Sequence, residues 1–192
     1  MPRLLLISFH YPPRPTIGSL RPGALAKYLT QFGWEVVVVT PEVKSGPRPP
    51  ARVVETGYED VLEKWKRRIP GLDPGKPLQA QLKVQATRPR EKGLVSRSVD
   101  FAKSLLAYPD ETRGWIPFAL EAIERLDSPI DAILSTAPPI TTHLIAQKAK
   151  LKLGCPWIAD FRDLCATNLD NPHEPLLRLR ERRLDGRSMA SA

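Results

Sequence analysis

The chain has 192 residues, 42% hydrophobic and 26% charged, which is enough for one α/β domain with a real core and short for two. Its 21 prolines are about twice the number that average usage of roughly 5% would give, so long stretches must be turns, helix starts or extended loops. A formal charge of +8 and a pI near 9.7 imply a basic face suited to nucleic acid, anionic lipid or a phosphorylated ligand; the first is disfavoured by 7% aromatics and the lack of a basic recognition motif.

Arg3 to Phe9 is a short apolar run that breaks into a Pro-rich loop, the pattern of a strand buried on both faces of a parallel sheet. Leu20, Ala24, Leu25, Tyr28, Leu29 and Phe32 then recur at helical spacing, and Gly33 supplies a stop. Glu35 to Thr40 is a second buried strand, which completes a βαβ unit whose crossover should be right-handed. Residues 44–104 read as an irregular, partly helical insertion rich in Pro, Gly and basic residues. Within it Val53 to Thr56 is a third strand and Leu94 to Leu106 is compatible with a helix.

Pro109 to Gly114 reads as a loop and Trp115 to Leu126 as an amphipathic helix. Ile130 to Ser135 is a strand, Thr136 to Pro139 its exit loop, and Thr141 to Leu153 a helix capped by Thr141 or Thr142 and closed by Gly154. Trp157 to Phe161 is the next strand. A last helix beyond Pro172 carries Leu176, Leu177, Leu179 and Leu184 among Arg178, Arg180, Arg182 and Arg183, before a polar tail over 185–192. The expected fold is α/β: a Rossmann-like, three-layer domain over 1–184 with a mainly parallel sheet.

Cys155 and Cys165 form no CxxC pattern and are too few for a disulfide framework, which points to a reducing, cytoplasmic compartment without structural zinc. Leu4 to Phe9 is too short for a signal sequence, and no segment is expected to span a membrane.

In an open parallel sheet, ligands gather outside the carboxyl ends of the strands, and three loops at that edge are candidates. His10 to Pro22 holds Gly18, Ser19 and Arg21; Gly18 and Ser19 either bring backbone N–H groups toward a phosphate or belong to a rigid Pro-stiffened loop. GxGxxG and GKS/GKT are both missing, which disfavours an NAD or ATP site. Ser135 to His143 holds Thr136, Pro138 and His143; its hydroxyls either meet a ligand or cap the helix, and His143 either carries a proton or packs. In the third, Ala159 to Leu164, Asp160, Arg162 and Asp163 form either a salt bridge or an acceptor for sugar hydroxyls.

Four ordered segments, LLLISFHYPPRPTIGSLRPGALAKYLTQFGWEVVVVT, YPDETRGWIPFALEAI, ILSTAPPITTHLIAQ and PWIADFRDL, resemble the N-terminal domain of the family 4 glycosyltransferases of two-domain GT-B type, especially those that build bacterial surface polysaccharide. The resemblance covers most of the chain outside 44–104. It implies transfer of a sugar from a nucleotide-sugar to an acceptor hydroxyl with retention of configuration, in a cleft between two Rossmann-like domains, with no bound metal and no cofactor beyond the nucleotide-sugar co-substrate. Gly18 and Ser19 inherit a place beside the donor phosphates, and Gly18, Ser19, Arg21, Thr136, Pro138 and His143 are the candidate substrate-binding residues. Asp160, Arg162 and Asp163 inherit the catalytic position, and Arg162 stands where related enzymes often carry a histidine.

The family continues into a donor-binding domain, so the expectation is that these residues alone do not turn over and need a donor-domain partner. The partners implied are a sugar or lipid-linked acceptor and no nucleic acid. Arg67, Arg68, Arg178, Arg180, Arg182 and Arg183 form either a contact with an anionic membrane at the inner face of the cell or a solvated helix face. A free-standing binding module is the rival reading.

Overall fold

The computed structural model describes residues 1–43, 46–67, 108–162 and Gly186. Two compact units are present: Met1–Tyr58 with Trp115–Ala192, and Glu59–Gly114. The helices expected over Leu94 to Leu106 and beyond Pro172, together with Asp163 and Cys165, lie outside the described residues.

The first unit is a five-stranded, all-parallel sheet in the order β3-β2-β1-β4-β5, with strands Arg3–Ile7, Glu35–Pro41, Arg52–Thr56, Ala132–Ala137 and Trp157–Phe161. β1 lies at its centre, with Leu5 in register with Val37 on one side and Ile133 on the other. Buried on both faces, β1 and β2 read as continuous apolar runs because neither face meets water.

Alternation along each strand divides the core into two layers. Leu4, Leu6, Val36, Val38, Ala132 and Leu134 pack with Ala26 of helix α1 (Ile17–Gln31). Leu5, Ile7, Val39, Ile133 and Trp157 pack on the opposite face with Ala119 and Ile123 of α3 (Ile116–Glu124) and Ile145, Ala146 and Ala149 of α4 (Thr141–Leu153). This is the three-layer α/β arrangement expected from the βα alternation.

Local chemistry sets the helix boundaries. Gly154 ends α4 at φ 68°, a left-handed conformation that costs other residues Cβ strain, and its N–H bonds the Lys150 carbonyl. The expected cap by Thr141 or Thr142 is not formed: Ile140 is the N-cap residue, and the Thr142 hydroxyl donates backward to the Thr136 and Pro139 carbonyls at 2.9 and 2.8 Å. The expected Trp115 to Leu126 helix is shorter, because Glu111–Trp115 winds as a 3-10 turn and Pro117, suited to a helix start, opens α3.

In the second unit, α2 (Val61–Arg67) is capped by Asp60, whose Oδ1 accepts from the Glu63 N–H at 3.0 Å. Asp110 accepts from both the N–H and the hydroxyl of Thr112, which starts the 3-10 turn. Arg67 pairs with Glu63 one turn away, so this member of the expected basic surface is already neutralised within its own helix.

Trp115 anchors the first unit. Fully buried, it donates from Nε1 to Thr56 Oγ1 at 2.6 Å and stands edge-on to Phe9 with ring centroids 5.6 Å apart. Replacing Trp115 with Ala should lower unfolding free energy by about 3–5 kcal/mol, measured by chemical denaturation, because it leaves a cavity and an unmatched Thr56 oxygen.

Candidate functional site

The sheet changes character at its carboxyl edge. Among the described residues the buried polar side chains are Ser8, Ser19, Thr40, Thr56, Ser135, Thr136, Thr141, Thr142 and His143; each lies at a strand's carboxyl end or in the first turn of α1 or α4. Buried polar groups are costly without partners, so their gathering at one edge marks where the fold carries something other than packing. Among the described residues, Tyr11 OH, Thr40 Oγ1, Thr136 Oγ1, His10 Nδ1, His143 Nε2 and Asp160 Oδ2 are buried there with no hydrogen-bond partner.

Arg162, just past β5, draws the three candidate loops together. Its Nε donates to the Ala137 carbonyl at 3.0 Å, one terminal nitrogen to the Pro138 carbonyl at 2.8 Å, and the other to the Gly18 carbonyl at 3.4 Å. The Gly18 carbonyl is available because Pro22, four residues on, has no N–H to return to it. Among the described residues no carboxylate pairs with Arg162, so three carbonyl dipoles hold its charge and no anion cancels it.

Asp160, two residues earlier, instead bridges to Arg21 at 3.1 Å, tying β5 to the first turns of α1. Thus Gly18, Arg21, Pro138, Asp160 and Arg162 come together at one edge. Thr136 lies beside Asp160 in strand register.

Ser19 does not offer its amide to a ligand. Its N–H donates to the Thr16 carbonyl at 3.0 Å, and its hydroxyl lies 2.7 Å from both the Arg14 and Thr16 carbonyls, so it staples the loop. Among the described residues, the amides of Ile17 and Gly18 have no carbonyl partner in the loop before α1, as the first turn of a helix requires.

His10 is the residue that reading the sequence did not single out. A Cβ added at Gly18 would sit 3.2 Å from the His10 ring, so glycine there lets the imidazole lie against the start of α1. Burial lowers the His10 pKa, and the charges of Arg14 and Arg162 lower it further, so the ring is neutral at pH 7. Its position immediately after β1 was the available signal.

His143 belongs to the core. It is fully buried, with Nδ1 2.7 Å from Ser135 Oγ, which also accepts from Trp157 Nε1 at 2.8 Å. The indole can only donate, so Ser135 Oγ accepts from Trp157 and shares a second hydrogen bond with His143 Nδ1, while Nε2 is buried without a hydrogen-bond partner among the described residues. The Phe161 ring lies 4.3 Å away.

Among the described residues no group of three or more His, Cys, Asp and Glu side chains can hold a metal ion, and no helix is long and apolar enough to cross a membrane. The chain matches no protein-family model, and comparison with curated proteins gives no match.

Burial pushes the His143 pKa from 6.5 down to about 4. Between those values the unfolded chain binds the proton and the fold does not, so stability falls as pH drops from 6.5 toward 4; the His143 share is on the order of 3 kcal/mol. Denaturation curves across this range should show a steeper acid loss for the native chain than for H143Q. Parallel curves would remove His143 as the cause.

Proposed function

We propose that this domain is the acceptor-side half of a retaining, nucleotide-sugar-dependent glycosyltransferase of cell-surface polysaccharide or glycolipid synthesis, working on the cytoplasmic side of the membrane. The observation that carries the reading is the Arg162 junction: a guanidinium with no carboxylate partner among the described residues, beside the open Ile17 and Gly18 amides. Such a constellation suits the phosphate charge of a nucleotide-sugar, because fixed N–H dipoles and a held cation need little rearrangement when that charge grows. The ordered sequence segments that resemble the family 4 enzymes support the same assignment.

In this reading the acceptor hydroxyl attacks the anomeric carbon on the face from which the nucleoside diphosphate departs, which retains the configuration; the diphosphate leaves with the electron pair, and the hydroxyl proton passes to the neutral His10 imidazole. His10 is neutral and lies against Gly18, so it can accept a hydrogen bond from the acceptor hydroxyl. Asp160 has one oxygen bridged to Arg21 and one unpartnered, so it can take a sugar hydroxyl while remaining anchored. Thr136 adds a hydroxyl next to it, and the Gly18 carbonyl is occupied by Arg162. The other lobe supplies the groups that bind the nucleotide.

The test is nucleotide-sugar hydrolysis and transfer by the 192-residue chain, alone and with a donor-side domain. The expected result is turnover only in the mixture, reduced roughly 10²-fold by H10A if the imidazole takes the proton. Turnover by the chain alone would overturn the need for a second lobe. Silence in both, with retained binding of a nucleoside diphosphate or a lipid-linked sugar, would favour a free-standing binding module instead.

A further inference from the structure

Arg14 is a second guanidinium at the carboxyl edge. Its backbone is pinned: the N–H donates to the Tyr11 carbonyl at 3.1 Å, and the carbonyl accepts from the Thr16 N–H at 2.8 Å and the Ser19 hydroxyl at 2.7 Å. Its guanidinium carbon lies 5.3 Å from the Phe9 ring centroid, and one terminal nitrogen donates to the Glu42 backbone carbonyl at 3.3 Å. Among the described residues no carboxylate pairs with it, and its Nε is buried with no hydrogen-bond partner. Like Arg162, it is a cation held by neutral groups.

A short path of contacts joins the two. Phe9, beneath Arg14, stands edge-on to the His10 ring with centroids 5.3 Å apart; His10 lies against Gly18, and the Gly18 carbonyl takes Arg162. Both guanidiniums thus converge on one imidazole, where both charges are felt. The neighbouring cations are matched already, Arg21 by Asp160 and Arg48 by Glu55. Bringing two like charges to one place costs free energy, and an anion bound between them turns that cost into attraction.

The donors define the anion. Arg162 spends one N–H of each nitrogen on a carbonyl, so among the described residues each terminal nitrogen keeps one to offer. Arg14 spends one on Glu42, and its other terminal nitrogen keeps both. A carboxylate has two oxygens and a single charge, enough for one such fork. A phosphate monoester has three equivalent oxygens and close to two charges at neutral pH, enough for both. A phosphate diester, as in an intact nucleotide-sugar, carries only a single charge on each phosphorus.

We infer that Arg14 and Arg162 together clamp a terminal phosphate in its dianionic form, so that the site takes a phosphate monoester in preference to a diester. Two sources supply that chemistry. One is the nucleoside diphosphate, whose terminal phosphate gains its second charge when the bond to the anomeric carbon breaks and the electron pair stays on the phosphate oxygen. The other is an acceptor that is itself phosphorylated. The choice of source rests on the proposed transfer reaction; the clamp does not.

The experiment is titration of the full 192-residue chain, followed by amide chemical shifts, with inorganic phosphate, glucose 1-phosphate, UDP and UDP-glucose, for the native chain, R14Q and R14K. The same spectra report whether each variant is folded, and the native comparison needs no variant. The expected result is saturable binding of inorganic phosphate and UDP roughly tenfold tighter than UDP-glucose, a ratio in which base and ribose cancel. R14Q should lose most of that ratio and R14K keep it. Arg14 dependence greater for UDP than for glucose 1-phosphate assigns the clamp to the leaving diphosphate, and the reverse order assigns it to a phosphorylated acceptor. Native binding of UDP-glucose as tight as UDP, no binding of inorganic phosphate, or an R14Q that weakens all four ligands alike overturns the inference. No donor-side domain and no turnover enter this measurement, so failure of the clamp and failure of glycosyl transfer are read separately.

Discussion

Arg162 has five N–H donors in a rigid plane, and backbone carbonyls from two other parts of the chain meet that plane at the end of β5. Each carbonyl is at a place where regular pairing stops. Ala137 ends β4, Pro138 follows it into the loop, and Gly18 faces a proline that cannot close its helical bond. The Ala137 carbonyl also accepts the Arg162 N–H at 3.2 Å, while the Pro138 and Gly18 carbonyls are left over by the secondary structure, and one residue collects all three. Without it, the loops after β1 and β4 would lose their shared tie to the end of β5.

The same economy of charge explains the neighbouring carboxylate. Asp160 faces the α1 side of the sheet and finds Arg21 there, while Arg162 is satisfied by neutral dipoles. The junction therefore keeps one cation free of a carboxylate partner among the described residues, and that cation is felt by His10, whose protonated form it disfavours. A neutral imidazole, a held guanidinium and open helix amides sit together because β1, β4 and β5 all end at one edge. His143, also at this edge, turns inward to Ser135 and Trp157, and acts in folding instead.

Much of this architecture was legible in the sequence. Buried parallel strands give unbroken runs such as Val36 to Val39, and the Thr141 to Leu153 helix and Trp157 to Phe161 strand were bounded to the residue by a left-handed glycine and the polar residues beyond. The loops after β1 and β4 followed from the ends of those strands. The roles of individual side chains did not follow. Whether Thr142 caps forward or donates backward, and whether Ser19 offers its amide or consumes it, depends on loop carbonyls whose direction no periodicity encodes. Arg162 and Pro22 lie 140 residues apart, so their shared interest in the Gly18 carbonyl appears only in three dimensions. His10 was passed over because its distinguishing feature, contact with Gly18, comes from the turn of the chain around it.

The central claim is that one guanidinium positions the ligand edge. Its most direct test is a comparison of amide chemical shifts between the native chain and R162K, which keeps the charge but cannot reach three carbonyls at once. The account predicts concerted shifts at Gly18 and Ser19, at Ala137 and at Ile140 to Thr142, with Leu4 to Leu6 in the central strand unmoved. Shifts confined to the residues adjoining position 162, with both distant loops unchanged, would contradict it.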